Sequence, residues 1–229
     1  MIYITGDKHG SLQLDDVKPS NWPEGQSLTK NDYLIIAGDF GGVCYGGGKD
    51  KAVLEFYEAC PWTTLFIDGN HENFDLLAKY PVSEWNGGKV QYIRPSVIHL
   101  MRGQVYTIEG KTFFTMGGAT SVDRDTRVEG ESWWKEELPS WDEYIEADRN
   151  LAEHGNKVDH IVTHCCSARQ YYGFAAMHFA SFKRDALTDY LDELEKRVGF
   201  GHWWYGHHHE DIDVDDKHTM LCRRVVKIG

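Results

Sequence analysis

No run of about 18 apolar residues occurs anywhere in the chain, which argues against a membrane-spanning helix. The opening Met1-Ile2-Tyr3-Ile4-Thr5-Gly6 lacks the basic start and long apolar stretch of a secretory signal, and it reads as a first strand. Cysteine is sparse and odd in number: Cys44, Cys60, Cys165, Cys166 and Cys222 are scattered, and Cys165-Cys166 is not a CxxC pair. That usage fits a reducing, cytoplasmic setting better than a disulfide framework. Internal repeats, low-complexity tracts and Pro/Ser-rich linkers are also missing, so one domain over 1–229 is expected. Positive charge is in deficit, with 24 Lys+Arg against 36 Asp+Glu and a net charge of −12. Polyanion binding relies on basic stripes, so duplex nucleic acid is not an expected partner. A small phosphorylated substrate is easier to accommodate, because bound cations would offset the negative charge locally. Most of the acids serve solubility.

What is present is an ordinary globular composition, 41% hydrophobic and 26% charged, in 229 residues that suffice for a sizeable core. Short apolar runs bounded by glycine predict buried strands at Ile2–Thr5, Tyr33–Ala37 and Thr64–Ile67. Helices are expected at Lys51–Cys60 and Asn73–Tyr80, stopped by Pro61 and Pro81. This alternation implies parallel pairing. Val97–Met101, Gln104–Ile108 and Lys111–Met116 follow as strands, the last two joined by a tight Glu109-Gly110 turn. Residues 123–140 are polar and Trp-rich without periodicity, an ordered excursion over the surface. Its Trp133-Trp134 pair suits packing or, less simply, stacking on a nucleobase. Ser140 and Glu143 form a capping-box pattern for a helix from about 141 to 154. His160–Thr163 reads as a strand, 183–198 as an amphipathic helix, and Trp203–Tyr205, Ile212–Val214 and Met220–Ile228 as closing strands.

Metal-type ligands recur where these strands end. Gly6-Asp7-Lys8-His9-Gly10 follows the first strand, Gly38-Asp39 the second, and Gly69-Asn70-His71-Glu72 the third. His164 follows 160–163, and Gly206-His207-His208-His209 follows 203–205. The carboxyl edge of an open α/β sheet is where ligands bind. Aspartate, an asparagine carbonyl and imidazoles together make a mixed oxygen and nitrogen shell. Such a shell suits Mn, Fe, Co, Ni or Zn better than the all-oxygen shell of Ca. Two ions bridged by one carboxylate can clamp a phosphoryl group and ionise the water between them. Lys8 and His208 alternate with the ligand types and are expected to face away.

This ordered series, GDKHG, GDFGG, GNHE, a strand-end His and GHHH, resembles the calcineurin-like metallophosphoesterase superfamily, whose pattern is D-x-H, G-D, G-N-H-[ED], H and G-H-x-H. The resemblance implies an α/β fold of two packed mixed β-sheets flanked by helices, a four-layer α-β-β-α sandwich. It implies two divalent metal ions, manganese foremost. Asp7, His9 and His209 would hold one, Asn70, His164 and His207 the other, and Asp39 would bridge. His71 matches the family's histidine near the leaving group or a phosphate oxygen, and Glu72 would support its loop. Asp39 is followed by Phe40-Gly41-Gly42-Val43, without the arginine of the Ser/Thr phosphoprotein phosphatases. The chain is therefore more similar to the phosphodiesterase-like branch, where fold does not set substrate. Arg124 and Arg127 are candidates for a replacement phosphate contact, with surface ion pairs as the alternative reading. A catalytically silent binding scaffold on the same fold is the rival to an enzyme, although such scaffolds usually lack ligands that are all present here.

Overall fold

The computed structural model describes residues 1–178 and 184–228, and only the backbone of 175–178. The first half of the chain forms β1 (Ile2–Thr5), β2 (Tyr33–Ile36), α1 (Gly48–Ala59), β3 (Thr63–Phe66), α2 (Phe74–Leu77), β4 (Val82–Trp85), β5 (Gly88–Arg94), β6 (Val97–Leu100), β7 (Gln104–Ile108) and β8 (Lys111–Met116). The second half forms α3 (Trp141–Glu153), β9 (Lys157–Thr163), α4 (Ala168–His178), α5 (Ala186–Arg197), β10 (Gly199–Tyr205), β11 (Ile212–Asp213), β12 (His218–Met220) and β13 (Val226–Ile228). One sheet has the order β13-β1-β2-β3-β6-β5-β4 and the other β11-β12-β10-β9-β8-β7. The central strands of both are parallel, and antiparallel strands close the edges.

Strand alternation builds the layers. Ile2, Ile4, Ile35 and Leu65 face Tyr106, Phe113, Val162 and Trp204 of the other sheet, making the central core. Tyr3, Leu34, Ile36 and Phe66 face outward onto Val53, Leu54 and Tyr57 of α1 and Leu77 of α2. Phe114, Met116, Ile161 and Trp203 face outward onto Ala147 and Leu151 of α3 and Leu187, Leu191 and Leu194 of α5. Two mixed sheets between helical layers result, as the sequence pattern implied.

Several elements differ from expectation. The β4–β5 hairpin turns on Asn86-Gly87, both at positive φ (49° and 95°), an Asn-Gly turn signal that the sequence reading passed over. Helix α4 was likewise not anticipated. The helix expected over 73–80 is only four residues long. Asn73 caps it, and the Gln91 amide takes the carbonyls of Leu77 and Tyr80 that a longer helix would leave open. The helix expected over 183–198 begins at Ala186, capped by Asp185, and residue 183 lies outside the described residues. The strand expected over 220–228 is two strands in different sheets. Between them the Asp211 carboxylate takes the backbone N–H groups of Cys222, Arg223 and Arg224, so these cannot join a ladder and the chain crosses to pair with β1.

Candidate metal centre

Strands β1, β2 and β3 of one sheet and β9 and β10 of the other end at the same edge, and the loops that follow them meet there. Asp39 is at the centre. Its Oδ2 lies 3.6 Å from His9 Nε2, 3.4 Å from His164 Nε2 and 4.0 Å from His71 Nε2. On one side, donor atoms of Asp7, His9, Asp39 and His209 all fall within 4.8 Å of one another. His9 and His209 point their Nε2 atoms at each other across 2.9 Å. On the other side, His164 Nε2 is 3.2 Å from Asn70 Oδ1, and the His207 ring lies 5.1 Å from that of His164, centroid to centroid. The structure thus brings the six other proposed ligands together around the Asp39 carboxylate.

The local backbone is shaped for this convergence. His9, Asp39, His207 and His209 have φ of 43°, 48°, 68° and 56°. A non-glycine residue held in the left-handed region costs on the order of 1–3 kcal/mol and collects at functional sites. The glycines before the ligands make room for ligands of other loops. A Cβ on Gly69 would sit 2.1 Å from Asp39 Oδ1, and one on Gly206 would sit 2.2 Å from Asp7 Oδ1.

The electrostatics favour a cation. Asp7 Oδ2 is buried without a hydrogen-bond partner although His209 Nε2 is 3.2 Å away. Such an orphan is costly unless something positive completes it. Burial raises the Asp7 carboxyl to about 6, against the pull of His164. Burial also opposes charge on His164, but Asp39 and Asp7 outweigh it and raise the imidazole to about 10. A proton there stands where a divalent ion would. His164 Nδ1 donates to the Ala37 carbonyl at 2.8 Å, which turns Nε2 toward Asp39. Burial lowers His9 to about 4 and drives His207 well down, leaving neutral imidazoles with lone pairs to give. The donor set and the orphaned oxygen therefore fit divalent metal ions.

Around the centre, His71 Nδ1 sits 3.3 Å from Arg127 Nη1. A guanidinium only donates, so Nδ1 accepts, and the ring proton is on Nε2, facing Asp39. Arg127 also pairs with Asp123 at 2.7 Å and donates to the Ser132 carbonyl. Arg124 stacks on the Trp133 ring at 3.6 Å and is exposed. Trp133 and Trp134 are buried packing residues. Glu72 supports its loop directly: Oε1 accepts from Phe40 N at 2.7 Å and Oε2 from Gly69 N at 2.5 Å. Lys8 is buried away from the site on Asp16 and the Cys222 carbonyl. His208 points its Nε2 at Cys166 Sγ and packs on Tyr171. One cleft, of about 490 Å³, opens beside His9, His71, Arg127 and Lys49, and another, of about 330 Å³, beside His207, Ser121 and Arg124.

Two supports had no sequence signal. Asp68 is buried between His99 Nε2 (3.1 Å) and a double contact from Arg102 (2.8 and 2.5 Å). Burial opposes its charge, but Arg102 and His99 prevail and hold it at about 2. Ser121 and Glu137 reach Asn70 from the 123–140 region and its approach. Asp, Arg, Ser and Glu are common at surfaces, and only tertiary contact marks these four.

Compared with known proteins, residues 1–211 match the family model described as calcineurin-like phosphoesterase. No curated protein matches the chain.

Proposed function

Because the chain belongs to the calcineurin-like phosphoesterase family, we propose that it hydrolyses a small phosphate ester or nucleotide at a centre of two divalent ions, manganese foremost. The observation that carries this is Asp39 Oδ2, which stands between His9 and His164 at 3.6 and 3.4 Å, with the remaining candidate ligands divided between its two sides. Asp7, His9 and His209 would hold the first ion, Asn70, His164 and His207 the second, and Asp39 would be shared. Such ions supply charge stabilisation for a phosphoryl group and a water that is nucleophilic at neutral pH.

The chain's own residues add orientation and a hydrogen-bond donor. Arg127 fixes the His71 tautomer, so that Nε2–H is the donor on the side of the ligands. That N–H can hydrogen-bond to the departing oxygen as charge develops on it. Burial lowers the His71 pKa, Arg127 lowers it further, and Asp39 opposes both. Glu72 ties the Asp39 loop to the Asn70 loop, which keeps the two sides in register. The absence of an arginine after Asp39 favours the phosphodiesterase-like branch over phosphoprotein phosphatases.

The test is metal analysis of purified protein together with hydrolysis of p-nitrophenyl phosphate and bis-p-nitrophenyl phosphate. Near two ions per chain and Mn²⁺-dependent turnover are expected. Two bound ions with no turnover on a broad panel of esters, including cyclic nucleotides and dinucleotides, would favour the silent scaffold.

A further inference from the structure

Residues 123–140 form no extended helix or strand, but short turns at Arg124–Thr126 and Lys135–Glu137 and an isolated bridge between Glu129 and Trp133. Yet this region and its approach grip the segment 70–75 at three points. Trp134 Nε1 donates to Asp75 Oδ2 at 3.0 Å, Arg127 meets His71, and Glu137 reaches Asn70 through Ser121. The third contact has a direction built into it. Glu137 Oε2 accepts the Ser121 backbone N–H at 3.0 Å and Oε1 accepts the Ser121 hydroxyl at 2.9 Å. Asn70 Nδ2 then donates to Ser121 Oγ at 3.0 Å, and Asn70 Oδ1 is left toward His164. All three residues are buried, each at 3% exposure.

We infer that Glu137 and Ser121 are positioning residues that decide which end of the Asn70 amide faces the second cation position. An ionised carboxylate can only accept, so it draws the serine proton toward itself. The serine oxygen then has only lone pairs to offer Asn70, which must answer with its N–H. The amide carbonyl is thereby committed to the ion. Without the relay the amide is free to rotate by half a turn and present N–H groups, which repel a cation. The inference rests on the reading of Asn70 as a ligand given above. It also gives residues 123–140 a purpose, as a splint for the loop that carries Asn70 and His71.

Calorimetric titration of Mn²⁺ into the ion-free full-length chain tests it. Ser121→Ala should weaken the second binding event by about 10–100-fold, the usual size for lost support of a ligand, and leave the first unchanged. Asn70→Asp has oxygen on both arms and needs no orienting, so adding Ser121→Ala to it should change Mn²⁺ affinity by less than about threefold. The double variant also removes the stranded amide donor, which guards against simple misfolding. Equal losses from Ser121→Ala in the parent chain and in the Asn70→Asp variant, or no loss in either, would overturn the relay while leaving the metal reading intact. Asn70→Ala that still binds both ions as tightly as the parent chain would overturn both.

Discussion

At the scale of single residues, two substitutions separate holding ions from doing chemistry. Asp39 Oδ2 faces both ligand groups, so Asp39→Ala should lower occupancy on both sides, and elemental analysis showing unchanged metal would defeat the bridging role. His71 stands differently, 4.0 Å from Asp39 and hydrogen-bonded to Arg127. His71→Ala should keep both ions and lose about 10²–10³-fold in kcat on an ester with a poor leaving group, but less on a nitrophenyl ester. Equal losses on the two esters would assign it to phosphate positioning instead. Arg127→Ala should leave metal content intact and lower kcat/KM by freeing the His71 tautomer, and unchanged kinetics on the best substrate would make Arg127 a surface ion-pair residue. At this scale the sequence was most legible. That Asp7, His9, Asp39, Asn70, His164, His207 and His209 would meet at one edge could be read because ligand types recurred at strand ends, in four of the five clusters just after a glycine. Ser121 and Glu137 could not, because nothing local distinguishes a serine that supports an amide from one in a turn.

At the scale of elements, the Asp68–Arg102 pair joins the end of β3 to the β6–β7 connection, and so one sheet to the other. Arg102→Met should cost about 3–5 kcal/mol in urea unfolding, because it leaves the Asp68 charge buried with His99 alone. Strands β9 and β10 carry a pH response of their own. His160 stacks on Phe113 and accepts from Trp204 Nε1, and burial, with help from Lys111, lowers it to about 4. Its unfolded value is about 6.5, so between those values the unfolded chain binds the extra proton. The stability linked to His160 is full above about pH 6.5 and declines as pH falls toward about 4. His160→Gln should therefore lose less Tm than the parent between about pH 7 and about pH 4.5 in ion-free protein, and parallel losses would sink the assignment. Elements with a strong local signature were read well: β1, β7 and β8 fall on their expected bounds, and Ser140 caps α3 in a complete capping box. The misses have tertiary causes. Asp211 breaks the last strand from 11 residues away, and Gln91 ends α2 from the next hairpin.

At the scale of the whole molecule, the net charge of −12 sets the terms on which anionic substrates arrive. Small soluble esters should be turned over far better than long duplex DNA, whose binding needs many basic contacts. Efficient duplex cleavage at physiological salt would contradict this. The same scale exposes a matter of timing. The ion-binding edge draws Asp7 and His9 from just after the first strand and His207 and His209 from beyond residue 200, and β1 is flanked by β13. At a synthesis rate of about 5–20 residues per second, roughly 10–40 s separate the making of Asp7 from that of His209. A nascent chain stalled before Gly206 lacks His207 and His209, and so one proposed ligand on each side of Asp39. On the proposed function, a chain cut before Gly206 should turn over no phosphate ester, and ion loading should wait until His209 has been made.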